Sequence, residues 1–158
     1  MMNKDPRDGQ SDELTATHTS ESDLLRRDPS IDAPRLCEAA GAVALRAYAP
    51  YSHFRVGAAV QVDGQIFVGA NIENATFGAT VCAERIALAN AKIADVGTVR
   101  ALALHFPDAD SNAPITSMVP CGICRQWLTE LYPECLVIIC QRNRVFTMRE
   151  LLPNPFVL

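Results

Sequence analysis

No apolar run among the 158 residues is long enough to span a bilayer, and the N-terminus has no basic stretch followed by an apolar one. These absences exclude a membrane-spanning helix and a secretory signal, so a cytoplasmic location is expected. Basic charge is not in excess either, since the formal net charge is −4. Residues 1–35 hold five basic and eight acidic side chains, leaving a body of nine basic and ten acidic ones. A nearly neutral body does not attract a polyanion, which argues against a nucleic acid polymer as partner. Internal repeats are absent. Only three histidines are present, and none of His18, His53 or His105 lies beside a cysteine motif.

What remains suits one soluble domain: 49% hydrophobic and 20% charged residues, with enough length to bury a core unaided. Six cysteines raise the question of disulfides. The C-x-x-C spacing at Cys121 and Cys124, in a chain without a signal, points instead to metal or redox chemistry. Cys37, Cys135 and Cys140 sit in apolar regular segments and read as small core filler. No disulfide is expected.

Residues 1–30 are rich in Ser, Thr, Asp and Glu and lack apolar periodicity, so they read as a disordered extension. From there Leu36, Ala40, Val43, Ala44 and Ala47 recur at helical spacing, capped by Ser30 or Asp32 and ended by Pro50. Phe54–Val62 and Gln65–Ala70 read as a hairpin about Asp63-Gly64. A helix over Cys82–Ala94, a strand over Val99–Phe106 and a Cys-led helix over Cys121–Leu131 follow. Strands over Leu136–Cys140 and Val145–Met148, then a helical turn near Arg149–Leu152, complete the order. Five strands with interspersed helices predict an α/β domain over residues 31–158, its helices on the faces of the sheet.

Three stretches carry the chemistry: Asn71-Ile72-Glu73-Asn74-Ala75, Cys82-Ala83-Glu84-Arg85, and Pro120-Cys121-Gly122-Ile123-Cys124-Arg125-Gln126. Cys121 and Cys124 face one point if Cys121 opens its helix. Cys82, at the head of the other helix, is the natural third ligand. A structural zinc site wants four protein ligands, whereas three leave a position open for catalysis. A structural zinc or a redox pair is the competing reading of the thiols, and an ordinary first-turn glutamate that of Glu84. Asn71 and Glu73 share a face if their segment is extended, and an amide beside a carboxylate suits a vicinal hydroxyl pair.

On these stretches, from about Leu36 to Phe156, the chain resembles the small zinc-dependent cytidine deaminases that act on free nucleosides. The resemblance implies a three-layer α/β/α fold with a five-stranded mixed sheet, and Zn2+ held by Cys82, Cys121 and Cys124. It implies hydrolytic deamination of cytidine and 2′-deoxycytidine by zinc-bound hydroxide, with Glu84 as proton shuttle. Arg85 matches a guanidinium that donates to the cysteine sulfurs. Asn71 and Glu73 match residues holding the ribose, and Phe54 one lying against the pyrimidine. Ala83, Ala75 and Phe77 match further substrate-contact positions, the latter two reaching across a subunit interface. Phe156 matches an aromatic that stacks on substrate in a neighbouring subunit, so the resemblance implies a homotetramer with shared active sites. Phe77 stands where the family often has tyrosine, and Ile86 where it usually has threonine. Three rivals stay open: a deaminase of nucleoside antibiotics such as blasticidin S, a deaminase of RNA or DNA cytosines, and a non-catalytic zinc-stabilised binding module.

Overall fold

Alternation along the strands sorts the side chains onto two faces of a single sheet. The computed structural model describes residues 21–26, 28–95 and 97–158. Its strands are β1 (Gly57–Val62), β2 (Gln65–Ala70), β3 (Ala101–His105), β4 (Leu136–Ile139) and β5 (Arg144–Phe146), in the spatial order β2-β1-β3-β4-β5. Only β3 and β4 run parallel, joined through a crossover helix; the other neighbours are antiparallel. The sheet is therefore mixed, as expected.

The helices are α1 (Glu21–Arg26), α2 (Ala33–Ala44), α3 (Ala83–Ala94), α4 (Gly122–Leu131) and α5 (Met148–Leu151). On one face Ala58, Val60, Val62, Leu102, Leu104, Val137 and Ile139 pack with Ala87 and Leu88 of α3, Leu128 of α4 and Leu151 of α5. On the other, Ala59, Ala101, Ala103 and Ile138 pack with Leu24 of α1 and Leu36 and Ala40 of α2. Neighbouring strand residues such as Ala58 and Ala59 thus fall in different clusters, which is the period-two signature of a sheet covered on both sides. The result is three layers, α/β/α.

Local chemistry explains most boundaries. Asp32 caps α2 through the Arg35 amide, and Thr147 with Glu150 forms a reciprocal cap on α5. Asp63 and Gly64 take positive φ at the hairpin. Two glycines permit close layers: a Cβ on Gly57 would lie 2.0 Å from the Ala40 carbonyl oxygen, and one on Gly69 2.4 Å from that of Ala83.

Three expectations are corrected. First, residues 21–26 of the supposed extension form α1, because Leu24 buries itself against the sheet face beside Ile138 and Val145; the expectation for residues 1–20 lies outside the described residues. Second, α2 stops at Ala44 rather than near Pro50. The chain turns there so that the Tyr48 amide reaches the Asn71 carbonyl and the Tyr48 carbonyl receives the Glu73 amide. Third, Cys37 and Cys140 are not separate core filler. They form a disulfide with a Cα–Cα distance of 5.6 Å, tying α2 to the end of β4 across 103 residues of sequence. Buried Cys135 does act as filler.

Candidate active site

Both Cys-led helices begin at the same place. Cys82 and Cys121 hold extended backbone angles as the N-caps of α3 and α4, and neither spends its side chain on capping. Their sulfurs therefore project past the helix ends, where unpaired amides and the dipoles favour thiolate. Cys82 Sγ lies 3.8 Å from Cys121 Sγ, which lies 3.6 Å from Cys124 Sγ. All three fall within 4.8 Å of one another. Tetrahedral zinc with Zn–S bonds of ~2.3 Å separates its sulfurs by about 3.8 Å, so the three thiols fit this ion in spacing and in softness.

Charge around the cluster is set by its neighbours. The Cys124 side chain, with Arg85 behind it, holds the Cys82 thiol well below its usual range. Arg85 Nη2 is 4.0 Å from the Cys82 sulfur and 2.8 Å from the Thr80 carbonyl oxygen. Glu84, in the first turn of α3, is only 6% exposed. Burial pushes its carboxyl up to about 7, against a counteracting backbone hydrogen bond. Ala83, between Cys82 and Glu84, is fully buried in the core.

A second group of residues meets the first through backbone pairing. Ile72 and Val81 exchange reciprocal amide–carbonyl hydrogen bonds of 2.9 Å, laying the Asn71–Glu73 segment beside the residue preceding Cys82. Asn71 and Glu73 both turn toward residues 51–56, as alternation requires. Asn71 Oδ1 accepts from the Val56 amide at 2.7 Å, and its Nδ2 donates to the Phe54 carbonyl at 3.0 Å. The Glu73 carboxylate accepts from the Tyr51 and Ser52 amides at 2.9 and 3.2 Å and from the Ser52 hydroxyl. These bonds, the hydroxyl's first, hold it below the usual carboxylate range. Phe54 packs 5.9 Å from the Phe106 ring.

Tyr51, Ser52, Glu73, Phe77 and Thr80 line a cleft of about 400 Å³. Phe77 begins a 3-10 turn just after exposed Ala75, meets Tyr51 edge-on at 6.0 Å, and is 74% exposed. Phe156 is not in this cleft. The residue is 68% exposed and its backbone is bound by Gln126 on α4. Sequence reasoning gave no role to Ser52, Thr80, Arg125 or Gln126. Arg125 and Gln126 stand inside the stretch singled out for Cys121 and Cys124, and their partners in the C-terminal segment lie too far along the chain to be read from spacing.

Residues 31–140 match the family model described as the cytidine and deoxycytidylate deaminase zinc-binding region. The chain belongs to this family. A cytidine deaminase of Halalkalibacterium halodurans is 43% identical over 115 residues, covering 70% of this chain and 83% of that protein. The crystal structure of cytidine deaminase from Mycobacterium tuberculosis superposes with a TM-score of 0.70 at 35% identity, covering 81% of this chain and 99% of that one. That from Burkholderia pseudomallei gives 0.70 at 40% identity, covering 80% and 100%. Family and thiol geometry agree on zinc as the cofactor. Among the described residues no helix is long and apolar enough to cross a membrane.

Proposed function

We propose that this member of the cytidine deaminase family hydrolyses cytidine and 2′-deoxycytidine to uridine and 2′-deoxyuridine, releasing ammonia in pyrimidine salvage. The observation that carries the reading is a buried carboxylate, Glu84, two residues along α3 from one of three thiols set at zinc-ligand spacing. A purely structural zinc has no use for it.

Zinc held by Cys82, Cys121 and Cys124 supplies the Lewis acidity that makes water a nucleophile near neutral pH. Glu84 takes one proton from the attacking water and passes it to the ring nitrogen. It then takes the remaining proton of the added hydroxyl and passes it to the departing amine, so that ammonia leaves as the carbonyl forms. Arg85 spreads positive charge toward the Cys82 sulfur, offsetting the negative charge of three thiolates. Asn71 anchors Phe54 and Val56, which keeps the Phe54 ring where a pyrimidine would lie. An amide has two N–H donors, so Asn71 keeps one for a ribose hydroxyl beside the Glu73 carboxylate. Ala83, Ala75 and Phe77 complete the substrate contacts. The catalytic domain takes in residues 31–158, with α1 (Glu21–Arg26) packed onto it through Leu24.

The assembly we propose is a homotetramer in which neighbours share active sites. Phe77, Tyr51, Ile72 and Phe156 are large apolar side chains left at least half exposed on a single chain, three of them in or next to the cleft. A cytoplasmic location goes with this reading: a reducing compartment keeps the three ligand thiols available, and it also draws the Cys37–Cys140 pair toward its thiols.

Turnover followed by ultraviolet absorbance, with cytidine, 2′-deoxycytidine and blasticidin S in parallel, tests the substrate. Rapid loss of both cytidine nucleosides with an inert antibiotic is expected. Zinc-loaded protein that is inert to both nucleosides but acts on the antibiotic would replace the substrate and keep the chemistry.

A further inference from the structure

Arg125 and Gln126 directly follow the zinc ligand Cys124 on α4, and both side chains bind the C-terminal segment. Gln126 grips one residue at two points: its Nε2 donates to the Phe156 carbonyl at 2.8 Å, and its Oε1 accepts the Phe156 amide at 3.2 Å. Arg125 Nη1 donates to the Leu151 carbonyl at 2.9 Å, where the segment leaves α5. Arg125 Nε reaches the Pro120 carbonyl at 2.6 Å, next to Cys121. The stretch between Leu151 and Phe156 contains Pro153 and Pro155, each with a fixed φ and no backbone donor.

A side-chain amide paired with both backbone groups of a residue fixes where that residue sits and how its peptide is turned. The Phe156 ring itself contributes little to this anchoring, since it is largely exposed. A pinned backbone beneath a solvent-facing ring is a preorganised contact, whose ordering cost is met before any ligand arrives. α4 supplies two zinc ligands at its start and this clamp one turn later. The spacing from the zinc-ligand thiols to the pinned Phe156 backbone is thereby set through α4.

We propose that Gln126 is the positioning residue for Phe156, orienting the ring that a neighbouring subunit's pyrimidine nucleoside meets. The inference rests on the shared-site reading of Phe156 given above. Arg125 braces the same segment, but its bond beside Cys121 would mix zinc effects into any test, so Gln126 is the informative position.

The test compares zinc-loaded full-length Gln126→Ala, Gln126→Glu, Phe156→Ala and the Gln126→Ala/Phe156→Ala double variant. Cytidine kcat and KM are measured beside zinc per chain and oligomer mass. Gln126 is only partly buried, so its truncation leaves no core cavity. Gln126→Ala is expected to raise KM about five- to tenfold, the worth of a hydrogen-bond pair, with zinc content and mass unchanged. Gln126→Glu loses the donor to the Phe156 carbonyl and should also raise KM. The double variant should be no worse than Phe156→Ala, whose backbone is still held but has no ring to present. An unchanged KM in both Gln126 variants, while Phe156→Ala raises it, overturns the proposal alone. So does a Gln126→Ala loss that persists in full on the Phe156→Ala background. An unchanged KM in Phe156→Ala overturns the shared-site reading and this inference with it.

Discussion

Asp108 shows how far one exposed residue reaches at this site. Its carboxylate takes the Arg55 side chain at two points, 2.8 and 2.6 Å, and the Arg55 amide at 2.9 Å. Arg55 lies between Phe54 and Val56, the residues that Asn71 also fastens. The Arg55 side chain holds Asp108 at about 2, against an ordinary value of 3.8. A depressed folded value means the pair contributes fully above pH 4 and loses its contribution as pH falls toward 2. Asp108→Asn should therefore lower the melting temperature by only about 2 °C at neutral pH, as exposed pairs are worth little. It should flatten the acid limb of the stability profile between pH 4 and 2. An unchanged acid limb would remove the pair from the account. Residue chemistry was legible in the sequence where partners are local: Cys121 and Cys124 share one turn, and Glu84 follows Cys82 by two. Ser52 under Glu73 was not legible, nor Gln126 under Phe156, because each pair meets only once the sheet has formed.

Among the elements, the close fit of helices on the sheet matters most, and two glycines separate its two sides. A Cβ at Gly57 collides with Ala40 and Ala44 of α2, whereas one at Gly69 collides with Ala83 and Ala87 of α3. Each change to alanine should cost about 1–3 kcal/mol, since neither backbone can yield easily. Their effects on turnover should differ. α3 carries Glu84 and starts at Cys82, while α2 packs on the opposite face. Well below the melting temperature, Gly69→Ala should lose far more kcat than Gly57→Ala; equal losses would contradict the layered account. Periodicity and caps made these elements legible: the Leu36–Ala40–Ala44 stripe lies buried on α2, and Asp63-Gly64 turns the hairpin. Some of their ends were not, because tertiary pairing sets them. Tyr48 leaves the helical path to pair with the Asn71–Glu73 segment, and the first hairpin strand starts at Gly57, only after residues 51–56 have folded back onto Glu73 and Asn71.

For the molecule as a whole, the cross-link and the proposed subunit contacts bear on different properties. Cys37–Cys140 closes a loop of about a hundred residues between α2 and β4, on the side away from α3 and α4. Its reduction, or the Cys37→Ala/Cys140→Ala pair, should cost about 2–4 kcal/mol of stability and leave zinc content and turnover intact. An unchanged melting temperature would mean the cross-link holds nothing the core does not. Subunit contacts should behave in the opposite way, governing turnover. Sedimentation is expected to give four chains per particle. Phe77→Glu, which puts a charge on an exposed apolar ring beside the cleft, should lower particle mass and activity together. A fully active single chain would contradict shared sites.

The most direct test is cytidine turnover by zinc-loaded Glu84→Ala protein, read beside its zinc content and melting profile. One zinc per chain, a cooperative melt, and turnover reduced at least 100-fold are expected, roughly the lower bound for removing a proton carrier. A folded, zinc-loaded variant that turns over cytidine at the full rate would contradict that role for Glu84.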